Sequence, residues 1–535
     1  MIADIIILSN MRVILIILDG WGAAPPSFGN AISTANTPTL DALEKSHPSL
    51  LLQASGIAVG LPWGEEGNSE VGHLNLGAGR IILQYIPRII SSIRDGSFFE
   101  NPALKNAALH VKSNDSTLHL MGLVSSGSVH SYIDHLYALL ELAKRERIAN
   151  VFLHIFTDGK DCPPNEAAKF IPQLEERLRS QGLGKIATII GRTYAMDRNE
   201  NWEYTQKAYE LLTEGKGEVI NNAAEYLQKS YAKRINDQYI EPAIVNGQLS
   251  MVNCRVKDAD AVIFFNFRED SARQLTHAFL DKEFNYFARK KLNNLFFTAL
   301  THYYPEIPLV NVAFPPPDIA HTLAETLSKN NKTQLHIAET EKYAHATYFF
   351  SGLIEKPYYG EERILIPSYG ARYDEHPEMR AEEITDKAIE NLDRFDFILI
   401  NFANSDMLAH TGNMQATIKG IETVDSCIKR ILEKAGGEAV VIITADHGNA
   451  EEIMELKTGR IKTEHTANPV PLYVVIPNKG MQRDAKGEYN KPLYTKKISG
   501  VLADVAPTIL EIMGIPAPKE MTGQSLLPLL ASPLN

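Results

Sequence analysis

The chain has 535 residues, of which 44% are hydrophobic and 22% are charged, and its formal net charge is −12. This length accommodates two or more globular domains, and the composition is that of an ordinary folded protein. The negative charge and the lack of a basic run argue against nucleic acid or an anionic membrane surface as a partner.

The opening segment MIADIIILSNMRVILIILDGWG (1–22) is apolar, but polar residues interrupt it and it lacks the basic start and cleavage site of a signal peptide. A membrane span is therefore not expected. We predict a strand that begins after Met11 and ends at Asp19, with residues 1–10 as an extension of no consequence. The three cysteines are widely spaced without a CxxC pair, which argues against disulfides and a thiolate metal site and favours a cytoplasmic setting.

The next conspicuous segment, GNSEVGHLNLGAGR (67–80), places Ser69 in a predicted glycine-broken loop between Asn68 and Glu70. Small, turn-prone residues around one hydroxyl indicate a residue held out for chemistry. The segment is not the G-x-S-x-G elbow of a serine hydrolase, and no Ser-His-Asp order is evident nearby. Ser69 is therefore a candidate nucleophile that needs another means of activation.

Three apolar runs share a pattern: RVILIILDG (12–20), FDFILINFANSD (395–406) and AVVIITADHG (439–448). Such β-branched runs without alternation are typical of strands buried on both faces of a parallel sheet. Helical periodicity over 413–435 lies between two of them, so the sequence predicts a doubly wound α/β fold. In such folds the ligand site lies beyond the carboxyl ends of the strands. The acidic residues there could instead cap the following helices, an alternative that stays open for any one of them.

Candidate metal ligands gather at these strand ends and in the loops beyond them. An i, i+4 spacing places two of them on one helix face. The set combines carboxylates with imidazoles and contains no thiolate, which favours Mn²⁺, Zn²⁺ or a similar ion. Six ligands are more than one open catalytic ion uses, so two ions are predicted. The set is Asp19, Asp406, His410, Asp446, His447 and His465.

A divalent cation also answers the question of how Ser69 is activated. A hydroxyl coordinated to such a cation loses its proton more readily. Two-metal sites stabilise both the attacking and the leaving oxygen of an in-line displacement. Ser69 would then need no histidine base, and a phosphoryl group is the target that this site suits best.

Five segments resemble the motifs of the cofactor-independent phosphoglycerate mutases, which belong to the alkaline-phosphatase-like metalloenzymes. These are ILDGWG (17–22), GNSEVGH (67–73), NSDMLAHTG (404–412), TADHGNAE (444–451) and EHTANPVP (464–471). Segments outside the metal motifs also resemble the family, in family order, so the resemblance covers nearly the whole chain. They include VHSY (129–132), FTDGKD (156–161), GRTYAMDRN (191–199), FFNFRED (264–270) and AETEKYAHATYFF (338–350).

The resemblance implies an isomerase that interconverts 3-phosphoglycerate and 2-phosphoglycerate without 2,3-bisphosphoglycerate. Ser69 matches the serine that is phosphorylated and then returns the phosphoryl group. One manganese ion is implied to bind Asp406, His410 and His465, and the other Asp19, Asp446 and His447 together with Ser69. Ligand type alone leaves Co²⁺ and Zn²⁺ open. The resemblance also implies a monomer.

The resemblance further implies an anion-binding set for the substrate. Arginine recognises carboxylate and phosphate groups bidentately. The chain departs from the family at Lys160 and Ser271, where arginines are usual, and Arg273 is a candidate replacement for the second. The implied substrate residues are His130, Lys160, Asp161, Arg192, Arg198, Arg268 and Lys342.

Family architecture implies a discontinuous metal-binding domain, residues 1–83 and 315–535, with an inserted α/β domain of residues 84–314 that binds substrate. The proline-rich segment VAFPPPD (312–318) suits a linker. The main alternative is another member of the metal superfamily, a phosphopentomutase, phosphatase or phosphodiesterase. A second alternative is a non-catalytic binding or scaffold protein stabilised by metal.

Overall fold

The structure is a computed structural model that describes residues 11–245, 254–303, 311–370, 372–477 and 492–531. The chain divides into two compact units, unit 1 from Met1–Gln84 with Pro317–Asn535 and unit 2 from Tyr85–Pro316. The proposed extension 1–10 lies outside the described residues. Among the helices of the described part of the chain, none has the length and apolar character that crossing a bilayer requires.

The described residues contain sixteen strands, numbered here in chain order. They are β1 (Arg12–Leu18), β2 (Ser49–Gln53), β3 (Leu118–Val124), β4 (Val151–Thr157), β5 (Lys185–Gly191), β6 (Glu218–Ile220), β7 (Ala243–Val245), β8 (Ala261–Phe264), β9 (Phe296–Ala299), β10 (Asn311–Val312), β11 (Gln334–Glu339), β12 (Glu361–Ile366), β13 (Phe397–Phe402), β14 (Ala439–Thr444), β15 (Val470–Val475) and β16 (Ile498–Val501).

Eighteen α-helices accompany these strands in the same described ranges. They are α1 (Ala31–Thr34), α2 (Pro38–Ser46), α3 (Ser69–Ala78), α4 (Tyr85–Asp95), α5 (Pro102–Asn114), α6 (Ile133–Arg145), α7 (Ala167–Gln181), α8 (Arg192–Ala195), α9 (Trp202–Glu214), α10 (Ala223–Ala232), α11 (Arg273–Leu280), α12 (Leu323–Lys329), α13 (Thr340–Ala344), α14 (Ala381–Asn391), α15 (Asn404–Ala409), α16 (Met414–Ala435), α17 (Val505–Ile512) and α18 (Leu527–Ala531).

Unit 1 is built on an eight-stranded sheet with the order β12-β11-β13-β1-β14-β15-β2-β16. Strands β12, β11, β13, β1 and β14 are parallel, whereas β15 runs antiparallel to both of its neighbours. The three apolar runs of the sequence thus become the adjacent strands β13, β1 and β14. The predicted α/β class is confirmed, although the sheet is mixed rather than wholly parallel.

Burial explains why these runs form central strands. Every residue of β1 from Val13 to Leu18 is buried, and all of β13 and β14 is buried as well. Burying an isoleucine or leucine side chain stabilises the fold by about 1.5–3 kcal/mol, so three such strands side by side anchor the sheet. Because they are parallel, their carboxyl ends meet at one edge, just before Asp19, Asp406 and Asp446.

Unit 2 has its own eight-stranded sheet, in the order β10-β9-β8-β3-β4-β5-β7-β6. Its strands are parallel except for the β5–β7 pairing, which is antiparallel. The carboxyl ends of β3, β4, β5 and β8 lead into the segments that carry His130, Asp161, Arg192 and Arg268. The roles predicted for the two domains stay predictions.

Candidate metal centre and nucleophile

Ser69 lies at the first position of helix α3, so the prediction of a loop over 67–80 is wrong. Asn68 is the reason, because its extended backbone and its side chain cap the helix. Its Oδ1 accepts a hydrogen bond from the backbone N–H of Val71 at 3.0 Å. The side chain of Ser69 therefore lies where the backbone N–H groups of a helix start create a partial positive charge.

The Ser69 hydroxyl lies among three charged or titratable groups of unit 1. Its Oγ is 3.1 Å from Asp19 Oδ1 and 3.0 Å from His447 Nε2. Lys342, in helix α13, donates to the same Oγ at 2.7 Å. Ser69 is only 6% exposed and Lys342 4%, so this contact is largely shielded from water.

Lys342 also pairs with two predicted metal ligands, at 2.5 Å from Asp19 Oδ1 and 2.6 Å from Asp406 Oδ2. Burial alone would lower the pKa of Lys342, but the carboxylates of Asp19, Asp406 and Asp446 outweigh it and hold this pKa above its usual value. Burial likewise opposes the charged form of His447, yet the same three carboxylates raise the pKa of this imidazole to about 10. The carboxylates of the cluster therefore stabilise the positively charged forms of Lys342 and His447.

His410 and His465 face each other through their Nε2 atoms, which are 3.0 Å apart. The Nδ1–H of His410 donates to the carbonyl oxygen of Thr463 at 2.6 Å, and that of His465 donates to the carbonyl of Gly67 at 2.9 Å. Each Nε2 also lies within 3.4 Å of Asp406 Oδ1. Two imidazole lone pairs and a carboxylate oxygen thus converge, which is the arrangement that a divalent cation requires.

Two groups of three side chains in the described residues hold their ligand atoms within 4.8 Å of one another, Asp406 with His447 and His465, and Asp19 with His73 and Asp446. His447, a member of the first group, also approaches the second, because its Nε2 lies 3.5 Å from Asp19 Oδ1 as well as 4.0 Å from Asp406 Oδ1. Asp446 Oδ2 is buried and accepts no hydrogen bond from the described residues, although His73 Nδ1 lies 3.1 Å and His447 Nε2 3.5 Å from it. A buried carboxylate oxygen without a hydrogen-bond donor, close to imidazole nitrogens, fits a metal ligand.

Four polar residues that the sequence did not single out support this cluster. His73 Nδ1 lies 2.9 Å from the carbonyl of Ser69 and 3.1 Å from Asp446 Oδ2. Asn401 Nδ2 donates to Asp19 Oδ2 at 2.9 Å, and Asn449 Nδ2 donates to Asp406 Oδ1 at 2.8 Å. The fourth residue is Glu451. Two sequence signals could have revealed two of these residues. His73 has i, i+4 spacing from Ser69, and Asn401 is a polar residue inside an apolar strand.

The predicted substrate residues of unit 2 form a second charged cluster. Arg192 Nη1 lies 2.5 Å from both Asp158 Oδ1 and Asp161 Oδ2. His130 lies between two carboxylates, with Nε2 3.6 Å from Asp161 Oδ2 and Nδ1 3.6 Å from Asp270 Oδ1. Burial, with Arg192 nearby, lowers the pKa of His130 to about 4, so this imidazole is neutral at pH 7.

Two further arginines of unit 2 converge on Asp270. Arg198 pairs with its Oδ2, and Arg268 Nη2 lies 3.1 Å from the same oxygen. Both arginine side chains are about half exposed, at 46% and 47%. Their guanidinium groups are therefore accessible to an anionic ligand.

The residues at which the chain departs from the family differ in their surroundings. Lys160 is exposed, and its backbone N–H donates to Asp158 Oδ1 at 3.1 Å. Ser271 is buried. Arg273 is occupied elsewhere, since its guanidinium contacts Glu269 Oε1 at 2.9 Å and the carbonyl of Tyr303 at 2.8 Å. Lys342 lies in unit 1 beside Ser69, whereas the other substrate candidates belong to unit 2.

Comparison with known proteins identifies the class. The family model described as the metalloenzyme superfamily matches residues 11–517. The chain therefore belongs to the metalloenzyme superfamily, as the clustered carboxylates and imidazoles of unit 1 lead one to expect.

Its relatives define the particular family. The chain is 48% identical over 524 residues to the 2,3-bisphosphoglycerate-independent phosphoglycerate mutase of Clostridium botulinum, covering 97% of this chain and 100% of that protein. It is 47% identical over 521 residues to the protein of the same name from Moorella thermoacetica, covering 97% and 98%. A crystal structure of Leishmania mexicana phosphoglycerate mutase at low cobalt concentration is also similar, with a TM-score of 0.57, 29% identity, and coverage of 96% and 97%. The chain belongs to the 2,3-bisphosphoglycerate-independent phosphoglycerate mutases, which are isomerases.

Proposed function

We propose that this chain interconverts 3-phosphoglycerate and 2-phosphoglycerate through a phosphoserine formed at Ser69. The reaction uses two divalent cations and no 2,3-bisphosphoglycerate, and Mn²⁺ is our first choice, with Co²⁺ and Zn²⁺ as alternatives. The observation that carries this proposal is the contact of one serine hydroxyl with Asp19, His447 and Lys342 inside a buried carboxylate–imidazole cluster.

The cations would be held by the two sets of residues that the sequence indicates, Asp406 with His410 and His465, and Asp19 with Asp446, His447 and Ser69. Bound there, they would supply Lewis-acid stabilisation of the transferring phosphoryl group. The buried Asp446 Oδ2, which accepts no hydrogen bond, and the facing Nε2 atoms of His410 and His465 support this assignment.

The chain's own residues prepare Ser69 for transfer. As the Oγ–P bond forms and the bond from phosphorus to the substrate oxygen breaks, the Ser69 hydroxyl, which Asp19 Oδ1 orients at 3.1 Å, loses its proton and the departing glycerate oxygen gains one, so that protons balance over the step. The Lys342 ammonium stabilises the negative charge that develops on Oγ. The N-terminus of helix α3 favours the phosphoserine dianion. Return of the phosphoryl group to the other glycerate hydroxyl completes the isomerisation.

We further propose that unit 2 recognises the substrate's anionic groups. Arg192, Arg198 and Arg268 would bind carboxylate and phosphate oxygens, with Lys160 contributing a point charge. His130, neutral at pH 7, and Asp161 would contact the glycerate hydroxyls. Arg268→Met should therefore raise KM at least tenfold while leaving Mn²⁺ binding unchanged, and an unchanged KM would count against this role.

An enolase-coupled assay from 3-phosphoglycerate, without added 2,3-bisphosphoglycerate, tests the proposal. We expect turnover with Mn²⁺, none after chelation, and none in Ser69→Ala at wild-type metal content. Rapid acid quench with substrate labelled on phosphorus should trap phosphoserine in the wild type only. Turnover by Ser69→Ala at the wild-type rate would refute the serine intermediate.

Hydrolysis of phosphoesters is the alternative reaction at this centre, because Lys160 and Ser271 depart from the family pattern in unit 2. Phosphate release from a panel of phosphoesters without 2-phosphoglycerate formation would favour that reaction. We also propose a cytoplasmic monomer, for which light scattering should give one chain mass, 59.5 kDa.

A further inference from the structure

Glu451 is a buried carboxylate beside the candidate metal centre and has no cationic partner among the described residues. It lies in the short helical turn Ala450–Glu452 that follows His447, and it is 2% exposed. Burying a carboxylate costs free energy unless hydrogen bonds replace its water shell. The donors that replace this water shell therefore indicate what the residue does.

Four donors surround the Glu451 carboxylate. Its Oε2 accepts from the backbone N–H groups of Gly22 at 3.0 Å and Asn449 at 2.8 Å. Its Oε1 accepts from the Thr466 hydroxyl and from Asn468 Nδ2, the latter at 3.0 Å. A carboxylate offers about four acceptor positions, so these bonds occupy all of them and leave none for a cation.

All four donors follow predicted metal ligands by one to three residues along the chain, and Asn468 lies three residues after His465. Gly22 lies three residues after Asp19, Asn449 two after His447, and Thr466 directly after His465. Three separate loops of unit 1 thus converge on one side chain. Backbone bonds reinforce the same junction, from Ala450 N to Gly20 O at 3.0 Å and from Thr466 N to Gly448 O at 3.0 Å.

Two glycines leave the space that the carboxylate occupies. A Cβ on Gly22 would lie 2.2 Å from Glu451 Cδ, and one on Gly448 would lie 2.5 Å from Glu451 Oε1. Contacts this short exclude any side chain at either position without displacing Glu451. The second glycine of ILDGWG and the glycine of TADHGNAE are therefore explained by close approach to one carboxylate.

We infer that Glu451 is a positioning residue that sets the spacing of the loops carrying Asp19, His447 and His465, and through them the affinity for divalent cations. None of its four hydrogen bonds involves Ser69. Its relevance to catalysis rests on the proposed function, whereas its effect on metal affinity does not. Groups that hold metal ligands in place commonly change affinity by about 10–100-fold when they are lost.

Two variants separate reach from charge. Glu451→Gln keeps the length of the side chain but removes its charge. Its amide N–H₂ can donate to the Thr466 hydroxyl oxygen and, once the Asn468 amide has flipped, to the Asn468 side-chain oxygen. Glu451→Asp keeps the charge but is one methylene shorter, so it cannot reach all four donors. Mn²⁺ affinity is measured from the electron paramagnetic resonance signal of free Mn²⁺, without substrate.

We expect Glu451→Gln to bind Mn²⁺ within about threefold of the wild type and Glu451→Asp to bind about tenfold or more weakly. Equal affinities for the two variants, or tighter binding by Glu451→Asp, would overturn the inference, as would a wild-type protein that binds no Mn²⁺. Mn²⁺ binding without mutase turnover would instead overturn the proposed function alone.

Asp425→Ala serves as the matched control. Asp425 is another buried carboxylate of unit 1, and it accepts from the backbone N–H groups of Thr39 at 3.0 Å and Leu40 at 2.9 Å. Its loss removes two backbone hydrogen bonds of a buried carboxylate without touching the loops of the cluster. Wild-type Mn²⁺ affinity in this variant supports the inference, and a loss equal to that of Glu451→Asp contradicts it.

Discussion

Replacing Lys342 with methionine removes a buried ammonium group from beside the Ser69 hydroxyl while keeping most of the side-chain volume. The Lys342 Nζ atom lies 2.7 Å from Ser69 Oγ. At an effective dielectric constant of about 20, a unit charge at that distance contributes about 6 kcal/mol. Half of a unit charge developing on Oγ in the transition state is then worth about 3 kcal/mol, or about 10²-fold in kcat.

The enolase-coupled assay measures this loss at saturating substrate. Lys342 also neutralises Asp19 and Asp406, at 2.5 and 2.6 Å, so its removal should leave Mn²⁺ affinity unchanged or tighten it. A kcat within threefold of the wild type would refute the electrostatic role. Loss of Mn²⁺ binding in Lys342→Met would show instead that the lysine supports the fold of the site.

Lys496→Met is the control for removing a half-buried lysine from unit 1. Its Nζ atom donates to the hydroxyl of Ser49 at 2.7 Å and to the Ser49 carbonyl at 3.2 Å. Burial lowers the pKa of Lys496, the opposite of the shift at Lys342. We expect an unchanged kcat in this variant.

Two other predictions concern stability. Burial lowers the pKa of His135 to about 3, and neither ring nitrogen has a hydrogen-bond partner, so the unfolded chain takes up this proton below about pH 6.5 while the folded chain does not. The resulting loss of stability is absent above pH 6.5, grows as pH falls towards 3, and reaches about 2 kcal/mol at pH 5. His135→Leu should remove this loss. If the variant and the wild type show the same difference in urea midpoint between pH 5 and pH 7, the prediction is contradicted. Chelation should lower the melting temperature of the wild type and Mn²⁺ should restore it, because ligands that bind only the folded state stabilise it; equal melting temperatures with and without Mn²⁺ would argue against a cation in the cluster.

The sequence predicted the α/β class because its central strands carry an unmistakable signal. Residues 13–18, 397–402 and 439–444 are almost wholly apolar on both faces, which is typical of strands buried on both faces of a parallel sheet. The predicted helix over 413–435 was also correct, since the structure has Met414–Ala435 with Asn413 as its cap. The antiparallel β15 carries no comparable signal, because its direction depends on the loops around it.

The local geometry around Ser69 was harder to predict. Glycines and Asn68 led to the prediction of a loop, whereas Asn68 caps a helix that ends at Gly79 in the left-handed conformation. The sequence indicated candidate metal ligands by residue type, but it could not reveal that His447 groups with Asp406 and His465 and also approaches Asp19. Glu451 was missed because hydrogen bonds to backbone N–H groups of distant loops have no sequence signature.

The position of β1 in the sheet has a consequence for biosynthesis. Its neighbours β13 and β14 are made some 380 to 430 residues later, whereas unit 2 is one continuous stretch between them. At about 5–20 residues per second, the first strand leaves the ribosome at least 20 s before its second neighbour exists. A nascent chain stalled near residue 390 should therefore resist protease across the described residues of unit 2 while residues 11–84 are cleaved. Protection of that leading segment at this length would mean that it acquires structure without either of its eventual partners.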